Sequence, residues 1–268
     1  MTDQIDTSDA PKSDLESYIG ERLNQKEILL MTHIVIGYPS FEASYEIVRQ
    51  MVEAGVDLME LQIPFSEPMA DGPVILKANQ QAIEKGSTVK RCLDFAQQAA
   101  KEFNIPFLFM SYANILFKYG METFARQMSD MGLKGAIVPD LPPEEADDYL
   151  AAMEKYNQAP IYIFSPETSD QRMKTIDSVS KGFIYCLARK GVTGKETQFS
   201  QDMADYLGRC RQATDLPLAV GFGVKEKADI DFLKGKADIA VVGSQTIREV
   251  EEKGVNATAP FIRSLLEG

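Results

Sequence analysis

The segment at residues 59–73 contains the side chains best suited to acid–base chemistry: Met-Glu-Leu-Gln-Ile-Pro-Phe-Ser-Glu-Pro-Met-Ala-Asp-Gly-Pro. Glu60 stands inside its apolar first part. Burying a carboxylate costs free energy unless it is paired or has a function. If Glu60 faces a pocket, burial raises its pKa and makes it a competent acid or base near neutral pH. A salt-bridged carboxylate at the rim of the fold is the structural alternative.

Asp71 is the second carboxylate of this segment, and it follows a loop stiffened by Pro64 and Pro68. The loop is long enough to fold Asp71 back toward Glu60, so that two carboxylates would face one substrate from different sides. The alternative is structural, because an Asp at the N-cap with a proline close behind is a frequent helix start. In that case Asp71 would cap a helix predicted over 73–85.

Three later loops have compositions suited to holding a ligand. Gly221-Phe222-Gly223 and Gly243-Ser244 each join an apolar segment to the start of a helix. Glycine lets an anion approach the backbone closely, and helix N-terminal amides bind it. The polar loop at 188–197 contains two glycines and suits a lid that closes and excludes water, although a plain solvated connection has the same composition.

Short apolar segments alternate with amphipathic ones along the chain, a pattern typical of parallel strands buried on both faces and joined by helices. The predicted strands are 30–37, 57–63, 106–111, 134–139, 159–164, 182–187, 216–220 and 237–242. The predicted helices are 40–54, 88–103, 120–131, 143–156, 169–180, 201–213, 225–234 and 256–267.

These repeats predict the fold class α/β and, within it, a (β/α)₈ TIM barrel. An open doubly wound sheet is the alternative, but the chain lacks a nucleotide-binding fingerprint. Residues 15–26 predict an extra N-terminal helix that plugs the barrel floor. We expect a disordered tail at 1–12 and a single domain at 13–268. In such barrels the chemistry sits where the strands end, at the C-terminal mouth.

Composition narrows the function classes. Of 268 residues, 28 are basic and 40 acidic, a net charge of −12 that disfavours nucleic-acid binding. No apolar run approaches the roughly 20 residues that span a bilayer. One histidine and three dispersed cysteines predict neither a metal site nor a disulfide framework. The polar start of the chain is not typical of a signal peptide, so we expect a cytoplasmic protein.

Ordered landmarks from about residue 15 to 267 resemble the α subunit of tryptophan synthase. The landmarks are Gly37-Tyr38-Pro39-Ser40, the segment 60–73, Tyr112-Ala113-Asn114, Asp140-Leu141-Pro142, the Arg-x-Gly-Val-Thr-Gly of 189–194, Gly221-Phe222-Gly223 and Gly243-Ser244. The resemblance implies a barrel that cleaves indole-3-glycerol phosphate into indole and glyceraldehyde 3-phosphate, a retro-aldol reaction without a cofactor.

The resemblance also implies roles for individual residues. Glu60 would be the acid–base group at C3 of the indole and at the side-chain hydroxyl, and Asp71 would accept or stabilise the indole N–H. Tyr185 would line the site, Tyr112 and Phe222 would wall the indole, and the lid residue Thr193 would hydrogen-bond Asp71. The implied phosphate ligands are the backbone amides of Gly194, Gly223, Gly243 and Ser244.

A partner is implied as well: a tryptophan synthase β subunit carrying pyridoxal phosphate, in an α₂β₂ heterotetramer. The residues that match the family's partner-facing surface are Pro64, Glu67, Pro68, Asn114 and Pro142. Two alternatives keep this family but change the role. One is a stand-alone indole-3-glycerol-phosphate lyase, and the other is a weakly active regulatory partner of the β subunit.

Five positions depart from the family's usual residues. Gln62 replaces a glycine, and its side chain would narrow the pocket or hydrogen-bond the catalytic carboxylate. His33 replaces an aromatic residue near the indole pocket, and Glu67 replaces an aspartate in the partner-facing loop. Lys190 and Pro139 each replace a small residue. None of the five removes a catalytic group.

Overall fold

A computed structural model describes residues 13–187, 201–221 and 223–267; the predicted tail at 1–12 lies outside these ranges. The strands are β1 (Leu29–Val35), β2 (Leu58–Gln62), β3 (Phe107–Met110), β4 (Gly135–Ile137), β5 (Ala159–Ile161), β6 (Ile163–Phe164), β7 (Ile184–Leu187), β8 (Leu218–Gly221) and β9 (Ile239–Val242). The α-helices are α1 (Asp14–Leu23), α2 (Phe41–Glu53), α3 (Pro73–Glu84), α4 (Val89–Glu102), α5 (Ala113–Tyr119), α6 (Met121–Met131), α7 (Asp147–Lys155), α8 (Asp170–Asp177), α9 (Gln201–Ala213), α10 (Lys227–Leu233), α11 (Ser244–Lys253) and α12 (Thr258–Leu266).

The strands form one parallel sheet in the order β5-β4-β3-β2-β1-β9-β8-β7-β6. Only Tyr162 separates β5 from β6, and the Tyr185 amide donates to the Tyr162 carbonyl at 2.9 Å. The two edges of the sheet therefore meet in one stretch of chain, the predicted strand 159–164. The sheet is a TIM barrel, as predicted, and the open doubly wound alternative is wrong.

Alternation along the strands separates the barrel interior from the layer beneath the helices. Leu58 of β2 belongs to the interior cluster, whereas Met59 and Leu61 pack in the cluster between sheet and helices. Because side chains alternate along a strand, Glu60 and Gln62 point to the same interior face as Leu58. The strand thus carries two polar side chains toward the C-terminal mouth.

The extra N-terminal helix closes the opposite end of the barrel, as predicted. Ser13 caps α1 by accepting a hydrogen bond from the Glu16 amide, and Leu15 and Ile19 pack fully buried in the interior cluster. The Tyr18 hydroxyl donates to the Asp57 carbonyl at 3.0 Å. This helix fills the floor, so the ligand-accessible end of the barrel is the mouth.

Two helices were not predicted, and both follow strand ends. α5 begins directly after Tyr112 and is only seven residues long. α11 begins at Ser244, and half of its ten residues are charged, which leaves few apolar residues to mark it. The predicted helix 256–267 is instead a 3₁₀ turn followed by α12, and 143–156 is likewise a 3₁₀ turn followed by α7.

Candidate active site

Glu60 lies in the middle of β2 with its side chain inside the barrel. It is 3% exposed, and its Oε2 atom is buried without a hydrogen-bond partner. Burial, and then the nearby charge of Asp71, raises the pKa of Glu60 to about 8. The alternative of a salt-bridged carboxylate at the rim is wrong, because no described residue forms an ion pair with Glu60. A carboxyl group in this state can donate a proton near neutral pH.

Asp71 lies beside Glu60 at the mouth, with one carboxylate oxygen held by three donors. Its Oδ2 atom accepts hydrogen bonds from Gln62 Nε2 at 2.6 Å, the Tyr112 hydroxyl at 3.2 Å and Asn79 Nδ2 at 3.3 Å. The N-cap of α3 is Gly72, without a side-chain cap, so the alternative role of Asp71 as the helix cap is wrong. Burial raises the pKa of Asp71, and the three hydrogen bonds oppose that rise.

Asn79 is a site residue that the sequence analysis missed. It is fully buried on α3, where its side-chain oxygen accepts from the Phe65 amide and its nitrogen also donates to the Ile75 carbonyl. These contacts fix the loop after β2 against the helix that follows it. The feature that could have indicated Asn79 is its position on the buried face of α3, next to the buried Ala78, where an amide side chain is unusual.

Tyr112 is completely buried rather than lining an open wall. Its ring stacks on Phe65 with centroids 4.9 Å apart, and its hydroxyl also accepts a hydrogen bond from the Ala70 amide at 3.2 Å. Burial and the charge of Asp71 raise the pKa of Tyr112, so its hydroxyl stays protonated. Tyr112 therefore holds the loop and Asp71 in place at the edge of the site.

Tyr185 of β7 and His33 of β1 complete the described part of the mouth. Burial, with the charges of Glu60 and Asp71, raises the pKa of Tyr185 well above its ordinary value. The ring fits because residue 221 is glycine; a Cβ there would collide with the Tyr185 hydroxyl. His33 is the register partner of Glu60, and burial lowers its pKa to about 4, so the imidazole is neutral.

The predicted phosphate site lies partly within the described residues. Ser244 is the first residue of α11, whose N-terminal amides lack partners within the helix, and Gly243 precedes it. A Cβ on Gly243 would contact the His33 ring at 3.3 Å, so glycine keeps this approach open. Gly223 adopts a positive φ of 140°. The remaining predicted contacts, Gly194, Thr193 and Phe222, lie outside the described residues.

The five residues predicted to face a partner differ in exposure. Glu67 and Asn114 are exposed, Pro64 and Pro142 are half-buried, and Pro68 is buried. Pro68 therefore supports the loop rather than presenting a surface.

Two large apolar side chains beside these residues are the most exposed in the described part of the chain, Met69 at 77% and Phe117 at 79%. They were not singled out from the sequence, because exposure depends on the path of the loop and of α5.

Two kinds of feature are absent from the described residues. No group of three or more His, Cys, Asp or Glu side chains there could hold a metal ion. No helix within the same ranges is long and apolar enough to cross a membrane.

Comparison with known proteins identifies the family. The family model for the tryptophan synthase alpha chain matches residues 20–264. The tryptophan synthase alpha chain of Desulforapulum autotrophicum is 68% identical over 251 residues, which cover 94% of this chain and 99% of the relative; that of Syntrophotalea carbinolica is 66% identical with the same coverage.

Solved structures agree with this assignment. A chain of Mycobacterium tuberculosis tryptophan synthase superposes with a TM-score of 0.88 at 31% identity, covering 95% of this chain and 97% of that one. Relatives and fold therefore point to the same family over nearly the full length. The chain belongs to the tryptophan synthase alpha chain family.

Proposed function

We propose that this chain cleaves indole-3-glycerol phosphate to indole and glyceraldehyde 3-phosphate, as the lyase subunit of a tryptophan synthase. The observation that carries the proposal is the pair of buried carboxyl groups at the barrel mouth. Glu60 has a buried oxygen without a partner, and Asp71 has one oxygen fixed by three donors. A site with this arrangement can give a proton to one part of a ligand and accept one from another.

The two carboxyl groups have different roles in the proposed reaction. Glu60, protonated near neutral pH because its pKa is about 8, donates its proton to C3 of the indole ring. The positive charge that develops on the ring nitrogen is stabilised by a hydrogen bond from its N–H to Asp71. The Glu60 carboxylate then takes the proton of the hydroxyl on the carbon attached to C3. The carbon–carbon bond breaks, its electron pair returns to the ring, and indole and an aldehyde are released.

The loops after β8 and β9 are proposed to hold the phosphate. The backbone amides of Gly223, Gly243 and Ser244, with that of Gly194, would bind it at the start of α11. Helix N-terminal amides favour anions at such a position. Binding there would leave the indole ring beside Glu60 and Asp71. The reaction requires no cofactor in this chain.

The partner is proposed to be a β subunit carrying pyridoxal phosphate, which would receive the indole in an α₂β₂ assembly. The exposed Glu67 and Asn114, together with Met69 and Phe117, provide a surface at the mouth. Because the loop that carries Glu67 and Met69 also leads to Asp71, partner binding would act directly on the site. We propose a cytoplasmic location for this assembly.

The test is indole release from indole-3-glycerol phosphate, measured with and without added β subunit. Slow release alone with a large rise on addition of the partner supports the synthase subunit. Fast release that the partner leaves unchanged would instead indicate a stand-alone lyase. No release under either condition, with a phosphate-bearing ligand still bound, would contradict the proposal and indicate a regulatory partner.

A further inference from the structure

Gln62 is the residue of the site that the proposed reaction does not yet use. It is completely buried at the C-terminal end of β2, on the same interior face as Glu60. Its Nε2 atom donates to Asp71 Oδ2 at 2.6 Å, the shortest of the three hydrogen bonds to that oxygen. The sequence left open whether Gln62 would narrow the pocket or bind a catalytic carboxylate; in the structure it binds Asp71 rather than Glu60.

The other two donors to Asp71 are shared with other groups. The Tyr112 hydroxyl also accepts from the Ala70 amide, and Asn79 Nδ2 also donates to the Ile75 carbonyl. Among the described residues, the amide nitrogen of Gln62 has Asp71 as its one hydrogen-bond partner. In addition, Gln62 stands on a strand paired on both sides, with Val35 of β1 and Met110 of β3. It is therefore the most rigidly mounted of the three donors.

The orientation of the Gln62 amide is fixed by its surroundings. Its Oε1 atom is buried without a hydrogen-bond partner among the described residues, and the Gln62 side chain raises the pKa of His33 against the larger effect of burial. The reverse orientation would place an amide oxygen against the Asp71 carboxylate, where two acceptors repel each other. The Nε2 hydrogens are therefore directed at Asp71.

Neutral donors, rather than a cation, oppose the rise in the pKa of Asp71 that burial causes. The titratable neighbours whose pKa values Asp71 raises are Glu60 on β2, Tyr112 just before α5 and Tyr185 on β7, and none of them is cationic. Burial raises the pKa of Asp71, and the hydrogen bond from Gln62 is the strongest opposing influence. No described residue donates to Asp71 Oδ1, so that oxygen is available to a ligand.

We propose that Gln62 is a positioning residue, which holds Oδ2 of Asp71 so that Oδ1 accepts the N–H of the substrate's indole ring. This inference rests on the proposed function. Where a glycine stands at this position, the side-chain donor is missing, so this chain orients its carboxylate by a contact of its own. Gln62 acts through Asp71 and makes no proton transfer itself.

The test is the substitution Gln62→Met, which keeps the length of the side chain and removes the donor. Hydrogen bonds to charged groups contribute more than those between neutral groups, but two donors to Asp71 remain, so we expect kcat to fall about tenfold. KM should change less than twofold, because the phosphate contacts are untouched. The acid limb of kcat/KM should move to higher pH, since losing the donor raises the pKa of Asp71.

A double-mutant cycle separates positioning from general structural damage. If Gln62 acts through Asp71, Gln62→Met should cost less than twofold when introduced into the Asp71→Asn variant. An equal tenfold cost in both backgrounds would overturn the inference. Gln97→Met, an exposed position on α4, is the matched control and should leave turnover unchanged.

The remaining outcomes are also decisive. If Gln62→Met does not fold, Gln62→Asn serves instead, because it keeps a buried amide but withdraws it by one methylene group; the same fall in kcat is expected. If the wild type releases indole and the Gln62 variant does so at the same rate, this inference is overturned while the proposed function stands. Absence of indole release by the wild type would overturn the proposed function, and the inference with it.

Discussion

Two buried carboxyl groups, Asp57 at the floor of the barrel and Glu60 at its mouth, stand three residues apart in the sequence. Asp57 is 1% exposed and Glu60 3% exposed. Asp57 accepts hydrogen bonds from Arg22 and Lys26, each at 2.7 Å, and from the Leu30 amide at 3.0 Å. Glu60 has a buried oxygen with no partner. The same burial is compensated at one end of the barrel and left uncompensated at the other.

The difference in pairing indicates that Asp57 contributes to stability, whereas Glu60 is suited to proton transfer. Partners from α1 and the turn after it make the floor carboxylate part of the framework. At the mouth the cost of burial appears instead as a raised pKa, which gives Glu60 a proton to transfer at neutral pH. TIM barrels show the same division in general: residues at the C-terminal ends of the strands carry function, and residues at the N-terminal ends contribute stability.

The largest expected effect is on turnover in Glu60→Gln. The amide cannot transfer a proton, so turnover should fall by about 10³-fold or more, in the range of general acid–base catalysis. The fold and binding of the β subunit should be intact, because the Glu60 side chain forms no hydrogen bond or ion pair with any described residue. Indole release gives the rate, and co-purification with the β subunit gives the binding. Unchanged turnover would refute the acid–base role.

Asp71→Asn should have the next largest effect. Asparagine cannot carry the negative charge that stabilises the ring nitrogen, so we expect turnover to fall by about 10²-fold. Affinity for a phosphate-bearing ligand should be largely retained, since the proposed phosphate contacts lie on the loops after β8 and β9. Steady-state kinetics and ligand titration measure the two quantities. A loss of affinity with normal kcat would contradict this role.

Asp57→Asn is the matched substitution at the floor, and it should act on stability. Removing one member of a buried ion pair costs about 3–5 kcal/mol, and because Arg22 and Lys26 are each about a third exposed, we expect the lower end of this range. Urea unfolding measures the change. The folded fraction should turn over normally; a specific loss of kcat would show that the two ends of the barrel are not independent.

Glu60→Gln, the matched substitution at the mouth, should instead raise stability, by about 3 kcal/mol at pH 7. The folded pKa of about 8 lies above the ordinary value of 4.5, so the unfolded chain loses this proton first as pH rises. Stability of the wild type therefore falls between about pH 4.5 and 8. Glu60→Gln removes this loss, so urea unfolding should show a small stabilisation at pH 5 and a much larger one at pH 8.

Strand periodicity explains why the fold and the inward position of Glu60 could be predicted. Alternation in β2 places Glu60 and Gln62 on one interior face, and the structure has them there. The geometry of the loops could not be predicted from the sequence in this way. That Gln62 binds Asp71 depends on the path of residues 63–72, and Asn79 reaches the site from a helix whose other inward residues are apolar.

The phosphate end of the site shows a second limit of sequence reasoning. Gly243 and Ser244 were recognisable as a turn that leads into a helix, but the range of α11 was not predicted; half of its residues are charged, and only Thr246, Ile247 and Val250 are buried. The anion site proposed at this helix start was therefore expected from the glycines, and not from the helix itself.

The pH dependence of kcat/KM for the wild-type chain tests most directly whether the uncompensated burial of Glu60 produces its chemistry. This quantity reports the pKa values of essential groups in the free enzyme. Because Glu60 must carry a proton to protonate C3, kcat/KM should fall above about pH 8, where that proton is lost. A profile that stays level from pH 6 to above pH 9 would contradict the assignment.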